Sequence, residues 1–95
     1  MAETIDEITI NYQEDDLLIV KELDKKALSK GAWTTIIFKY QQWDKGKNAY
    51  SPDKYTIRRY RKLKGMYSQQ SKFNISSKDQ ALKLAAILNE WAENS

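Results

Sequence analysis

"AWTTIIFKYQQW", residues 32–43, is dense in β-branched and aromatic side chains, the composition of a strand. Period-two alternation puts Thr34, Ile36, Phe38 and Tyr40 on one face and Trp33, Thr35, Ile37, Lys39, Gln41 and Trp43 on the other. The first set is the better core. The rest of the chain is read as what pairs with this strand and what covers it.

Upstream, "LLIVKEL" (17–23) is a short apolar run with β-branched content, and "DKKALSKG" (24–31) reads as a connection ending at Gly31. Residues 1–16 form an acidic N-terminal segment. Within it "MAETIDE" is polar and loose, "ITINYQ" (8–13) alternates Ile8, Ile10 and Tyr12 as a short strand, and "EDD" (14–16) breaks it.

Downstream, "DKGKNAYSPDK" (44–54) carries Gly46, Asn48 and Ser51-Pro52-Asp53 and reads as a loop. "YTIRRYRKL" (55–63) is the next strand, and Lys64-Gly65 turns it into "MYSQQSKFNI" (66–75), which predicts a hairpin. Ser77 and Gln80 fit a capping box at the start of "KDQALKLAAILNEWAE". There Ala81, Leu84, Ala85, Leu88 and Trp91 recur at helical spacing. The expected fold is α+β: a curved antiparallel sheet of four strands, or five if 8–13 adds one, followed by one C-terminal helix packed on one face, with residues 17–95 as a single domain.

Ninety-five residues make one small domain, for which a partner copy would add buried surface. The longest apolar runs are too short for a membrane span or a signal-peptide core, so the reading is cytoplasmic, with no membrane partner. There is no Cys and no His. The usual nucleophile, general base and transition-metal ligands are therefore missing, and neither an enzyme, a cofactor nor a small-molecule substrate is expected. "EDD" reads as a solvated turn, and "KGK" (45–47) lacks the spacing of a phosphate-binding loop.

Net charge +3 hides a sharp asymmetry. Residues 1–24 hold eight acids and one Lys, whereas residues 25–78 hold fourteen cations and two acids. Such a concentrated positive field points to a polyanion. Six of these cations, Lys54, Arg58, Arg59, Arg61, Lys62 and Lys64, fall within "KYTIRRYRKLKG" (54–65) with no acid among them.

If the helix covers Ile36, Phe38, Tyr55, Ile57, Phe73 and Ile75, alternation sends Trp33, Lys39, Trp43, Arg58, Tyr60, Lys62, Lys72 and Asn74 to the far side. Interleaved cations and rings are what single-stranded nucleic acid needs, since charge tracks its backbone while bases stack on aromatics. Arg59 and Arg61 fall on the Tyr55/Ile57 side in this register. Either a bulge near residue 59 shifts the phase, or the strand outruns the helix. The plainer alternatives are that Trp33, Trp43 and Tyr60 pack on sheet neighbours, and that the cations only discourage edge pairing.

"GAW" entering a long strand, "KYTIRRY", and "KFNISSKDQALKLAAIL" as a last strand running into a helix together resemble the positive-cofactor-four transcriptional coactivators and their small bacterial relatives. The resemblance spans roughly residues 17–91. It implies a curved four-stranded antiparallel sheet with a C-terminal helix, a homodimer formed through helices and sheet edges, and binding of single-stranded DNA with little sequence preference. By position, Trp33, Arg58 and Tyr60 match the family's DNA-contacting strand residues. Where the family often has Trp this chain has Tyr60, and "GMYSQQSKFNIS" (65–76) is longer than usual.

The expected interface is therefore Trp33, Lys39, Lys54, Arg58, Tyr60, Lys62, Lys64 and Lys72, with Trp43, Arg59 and Arg61 as secondary members. Its partner is single-stranded DNA, with RNA as the alternative ligand. The competing function is a protein-interaction module whose basic sheet docks on an acidic partner. The acidic segment 1–24 could then mask the basic face.

Overall fold

The computed structural model describes residues 2–94. It is a curled antiparallel sheet, close to a half-barrel, followed by one C-terminal helix. The strands are β1 (Tyr12–Glu14), β2 (Leu17–Ser29), β3 (Trp33–Asp44), β4 (Ala49–Tyr50), β5 (Lys54–Leu63) and β6 (Met66–Ile75), and the helix α1 spans Lys78–Glu93. Their order across the sheet is β1-β2-β3-β5-β6, with the two-residue β4 paired to the end of β3.

Six strands replace the expected four or five, because segments read as connections pair after all. Asp24–Ser29 extend β2 along β3, although "DKKALS" lacks an alternating apolar pattern. The short first strand lies at Tyr12–Glu14 rather than over residues 8–13. The β5–β6 hairpin closes as expected on Lys64 (φ 52°) and Gly65 (φ 81°). Positive φ at both central residues is what a type I′ turn requires.

What covers the core differs from the expectation. The segment 2–11 crosses one face of the sheet as a strap. At one end Tyr67 N donates to Ala2 O at 2.8 Å; at the other, Glu22 N donates to Asn11 Oδ1 at 2.7 Å. Ile8 and Ile10 of this strap are buried with Ile36, Phe38, Tyr60 and Tyr67, and these six form the core cluster. The alternation in "ITINYQ" thus reports burial under a strap rather than a ladder of strand hydrogen bonds.

Two register irregularities make the strap possible. In a regular strand Glu22 and Lys25 would face opposite ways, but the shift between Glu22 and Asp24 puts both on the Phe38 side. Glu22 Oε1 accepts from Thr9 Oγ1 (2.9 Å) and Ile10 N (3.2 Å). Lys25 Nζ donates to the carbonyls of Ile5 and Asp6 at 3.0 Å each, and to that of Ile8. The second irregularity, where Arg59 pairs Ser71 but Tyr60 pairs Gln69, turns Tyr67 toward Tyr60 and into the core.

The C-terminal helix therefore does not lie over the core. Ser77 caps it as expected, accepting from Gln80 N at 3.1 Å, while Gln80 Oε1 accepts from Ser76 N at 3.0 Å. Its main contact is with β6, and none of its described residues is buried. Leu82, Leu88 and Trp91 are 59%, 54% and 68% exposed, as is about half of Phe73 on β6. The wide apolar stripe of α1 is left largely uncovered because the strap already occupies the face the helix was expected to fill.

Candidate nucleic-acid interface

Cross-strand pairing fixes which residues share a face. Trp33 opposes Arg61, Thr35 opposes Arg59, Ile37 opposes Ile57 and Lys39 opposes Tyr55. Ile36, by contrast, opposes Arg58, and Thr34 opposes Tyr60. The sheet thus has a strapped face carrying Arg58, Tyr60, Lys62 and Lys72, and an open face carrying Trp33, Lys39, Arg59 and Arg61.

This register corrects the expected one. Tyr55, Ile57, Phe73 and Ile75 do not share a face with Ile36 and Phe38; Thr56, Arg58, Tyr60 and Asn74 do. The β3–β5 ladder runs without interruption from Trp33↔Arg61 to Tyr40↔Lys54, so no phase shift rescues the earlier placement. Arg59 and Arg61 keep the parity of Tyr55 and Ile57, and it is that side which the strap leaves open, with Ile75 buried at its β6 end.

On the strapped face Tyr60 is only 6% exposed, so its ring is part of the core and is not presented for stacking. Burial raises its hydroxyl pKa above the ordinary value, as does the Glu22 charge, while Arg58 pulls it down. Arg58 is half-buried. Its Nη1 donates to Gln69 Oε1 at 3.0 Å, and its Nε is buried with no hydrogen-bond partner among the described residues. Thr56, fully buried, donates to Asn74 Oδ1 at 2.7 Å.

Lys62 and Lys72 are exposed, with Lys62 Nζ 5.3 Å from the Tyr67 ring centroid. Lys64 stands in the hairpin turn, and Lys54 is half-buried at the start of β5. Above this face the strap brings Glu3, Asp6 and Glu7 and no cation.

The open face is different. The Arg59 guanidinium lies 4.3 Å from the Trp33 ring centroid, and that of Arg61 lies 5.2 Å away. Cation–π contacts of this kind stabilise by about 0.5–1 kcal/mol at exposed sites. Their greater effect here is to hold two exposed arginines over one indole. Lys39 is exposed along the same strand, and Tyr55 beside it is half-buried.

Lys21 and Lys26 of β2 join this face, opposite Gln41 and Ile37. Among the paired positions of β2, β3, β5 and β6, the open face holds five cations and one acid, Asp24. Trp43 lies near the other end of β3, half-buried and edge-on to Tyr50 at 5.1 Å, with Lys21 Nζ over the Tyr50 ring. Sequence alternation puts Tyr55 inward and ends the apolar run at Leu23, before Lys26, while Lys21 lies inside that run with nothing in the pattern to tell which way it faces. The signal that could have found them was the presence of two arginines on the parity assigned to the core.

No protein-family model, no curated protein and no solved structure matches this chain. Its fold and its site therefore rest on its own geometry. No helix of the described residues is long and apolar enough to cross a membrane.

Proposed function

We propose that this chain binds single-stranded nucleic acid, DNA in preference to RNA, without catalysing a reaction, through the open face of its sheet. The observation that carries the reading is the Trp33 ring contacted by Arg59 and Arg61 on a face where, over the paired positions of β2, β3, β5 and β6, five cations stand against one acid. Bases stack on the exposed ring, while the guanidiniums and Lys39, Lys26 and Lys21 engage phosphates. Duplex would use the charge and waste the ring.

The same reading places the protein in the functional class of the positive-cofactor-four coactivators, in transcription regulation or genome maintenance, acting in the cytoplasm. A homodimer is part of it. The support for a second copy is the large apolar side chains left more than half exposed on β6 and α1, Phe73, Leu82, Leu88 and Trp91.

Titration of tryptophan fluorescence with single-stranded oligonucleotides tests the proposal. Binding at low salt is expected, with log affinity falling against log salt at a slope of about −0.7 per phosphate contacted. Trp33→Ala should weaken binding by roughly tenfold, within the range of one stacked base. No binding to DNA or RNA at low salt, or an affinity indifferent to salt, would overturn the reading.

A further inference from the structure

Six residues along β3 from Trp33, the open face has a hollow of about 120 Å³ lined by Asp24, Lys26, Ile37, Lys39 and Tyr55. Small-molecule pockets start at about 300 Å³, so this one has room for a single ring. Asp24, Lys39 and Tyr55 form one cross-strand row, and Lys26, Ile37 and Ile57 form a second. Asp24 and Tyr55 flank the central strand, and at ordinary strand spacing their backbones lie about 10 Å apart. Ile37 supplies an apolar neighbour in the next row.

We propose that this hollow receives one nucleobase bearing an exocyclic amino group, cytosine in preference to thymine, and that Asp24 makes the choice. The inference rests on the single-strand reading of the same face. Asp24 is the only acid among the paired positions of β2, β3, β5 and β6 on that face, and Glu14 on β1 and Asp53 beside Gln41 are acids outside the hollow. A carboxylate in the path of a polyanion weakens uniform binding, so its favourable contribution is directional.

The carboxylate is held in place. Its Oδ1 accepts the Lys25 backbone N–H at 2.8 Å, and its Oδ2 carries no hydrogen bond among the described residues. A carboxylate oxygen accepts from the N4 amino group of cytosine. Thymine has a carbonyl at that position, and its one N–H lies between two carbonyl oxygens that a carboxylate would meet head-on. The Lys39 ammonium, directly opposite Asp24, donates to the N3 or O2 acceptor next to cytosine's amino group. On the other side the Tyr55 ring offers a stacking surface.

The hollow and the Trp33 platform are about 20 Å apart along β3. At stacked spacing that is roughly six nucleotides, so one strand can occupy both. The platform grips any sequence; the hollow adds a preference at one position.

The test is fluorescence titration of the full chain with oligo(dC) and oligo(dT) of equal length, at mildly alkaline pH where oligo(dC) stays unstructured, for the wild type and for Asp24→Ala. Oligo(dC) should bind roughly fivefold more tightly to the wild type, within the range of one net hydrogen bond. Asp24→Ala should weaken oligo(dC) binding and strengthen oligo(dT) binding, because it removes both the acceptor and a negative charge. A purely electrostatic role for Asp24 would raise both affinities together, and that outcome overturns the subsite. So does equal affinity of the wild type for the two oligomers, which leaves the single-strand reading standing. Binding to neither overturns both.

Discussion

Arg58 and Arg59 are adjacent in the chain and on opposite faces of β5, and they are used in opposite ways. Arg58 is half-buried under the strap, bonded to Gln69 and close enough to Tyr60 to lower its pKa. Arg59 is exposed and stacks on Trp33. The contrast extends to the faces themselves. On the strapped face, Arg58 lies beside the buried Tyr60 ring; on the open face, Arg59 and Arg61 lie at the partly exposed Trp33 ring. Which face can act is decided by what covers it, and the cover is ten residues at the other end of the chain from the helix.

The largest effect should come from breaking the cover. Ile10→Asp would bury an unpaired charge against Ile36 and Phe38, and chemical denaturation should show a loss of more than about 3 kcal/mol. Next, the two faces should separate when one ring is removed from each. Tyr60→Ala is expected to cost about 3 kcal/mol or more through the cavity it leaves, whereas Trp33→Ala should change stability by about 1 kcal/mol or less. Lys25→Met keeps the aliphatic stem but leaves three strap carbonyls without their donor. A destabilisation of about 1–3 kcal/mol is expected from the same measurement.

The smallest effect is a titration. Because the folded state holds the Tyr60 phenol proton more tightly than the unfolded chain, its contribution is fully present below pH of about 10 and is lost as pH rises through the folded-state pKa. Thermal melts of the wild type and Tyr60→Phe should therefore diverge only above that pH, with the wild type declining more steeply.

Much of the fold was legible in local sequence. Strand β3, the Lys64-Gly65 hairpin and the Ser77 cap each follow from short-range chemistry, and the structure has them where the pattern puts them. The face assignment was not legible, because it depends on the β3–β5 register across a loop and on which segment supplies the cover. Tyr55 and Ile57 look like core by alternation, yet the core parity of β5 is Thr56, Arg58 and Tyr60. A strand with an arginine and two hydroxyl-bearing residues facing inward gives no hydrophobic signal.

The N-terminal segment misled for a related reason. Its acids suggest a loose tail, whereas two isoleucines and the Glu22 and Lys25 contacts fix it to the sheet. Both of those contacts depend on the β2 irregularity at residue 23, for which "KELDKK" offers no glycine or proline as a marker.

The central claim is that the open face, and not the strapped one, meets nucleic acid. It is tested most directly by two charge-matched double variants, Arg59→Ala with Arg61→Ala and Lys62→Ala with Lys72→Ala, titrated against the same single-stranded oligonucleotide at one salt concentration. All four side chains are exposed, so both variants should fold, and each lowers the net charge by two. The account predicts that the first pair loses roughly tenfold or more in affinity and the second no more than the change in overall charge explains. Equal losses from the two pairs, or a greater loss from the second, would contradict it.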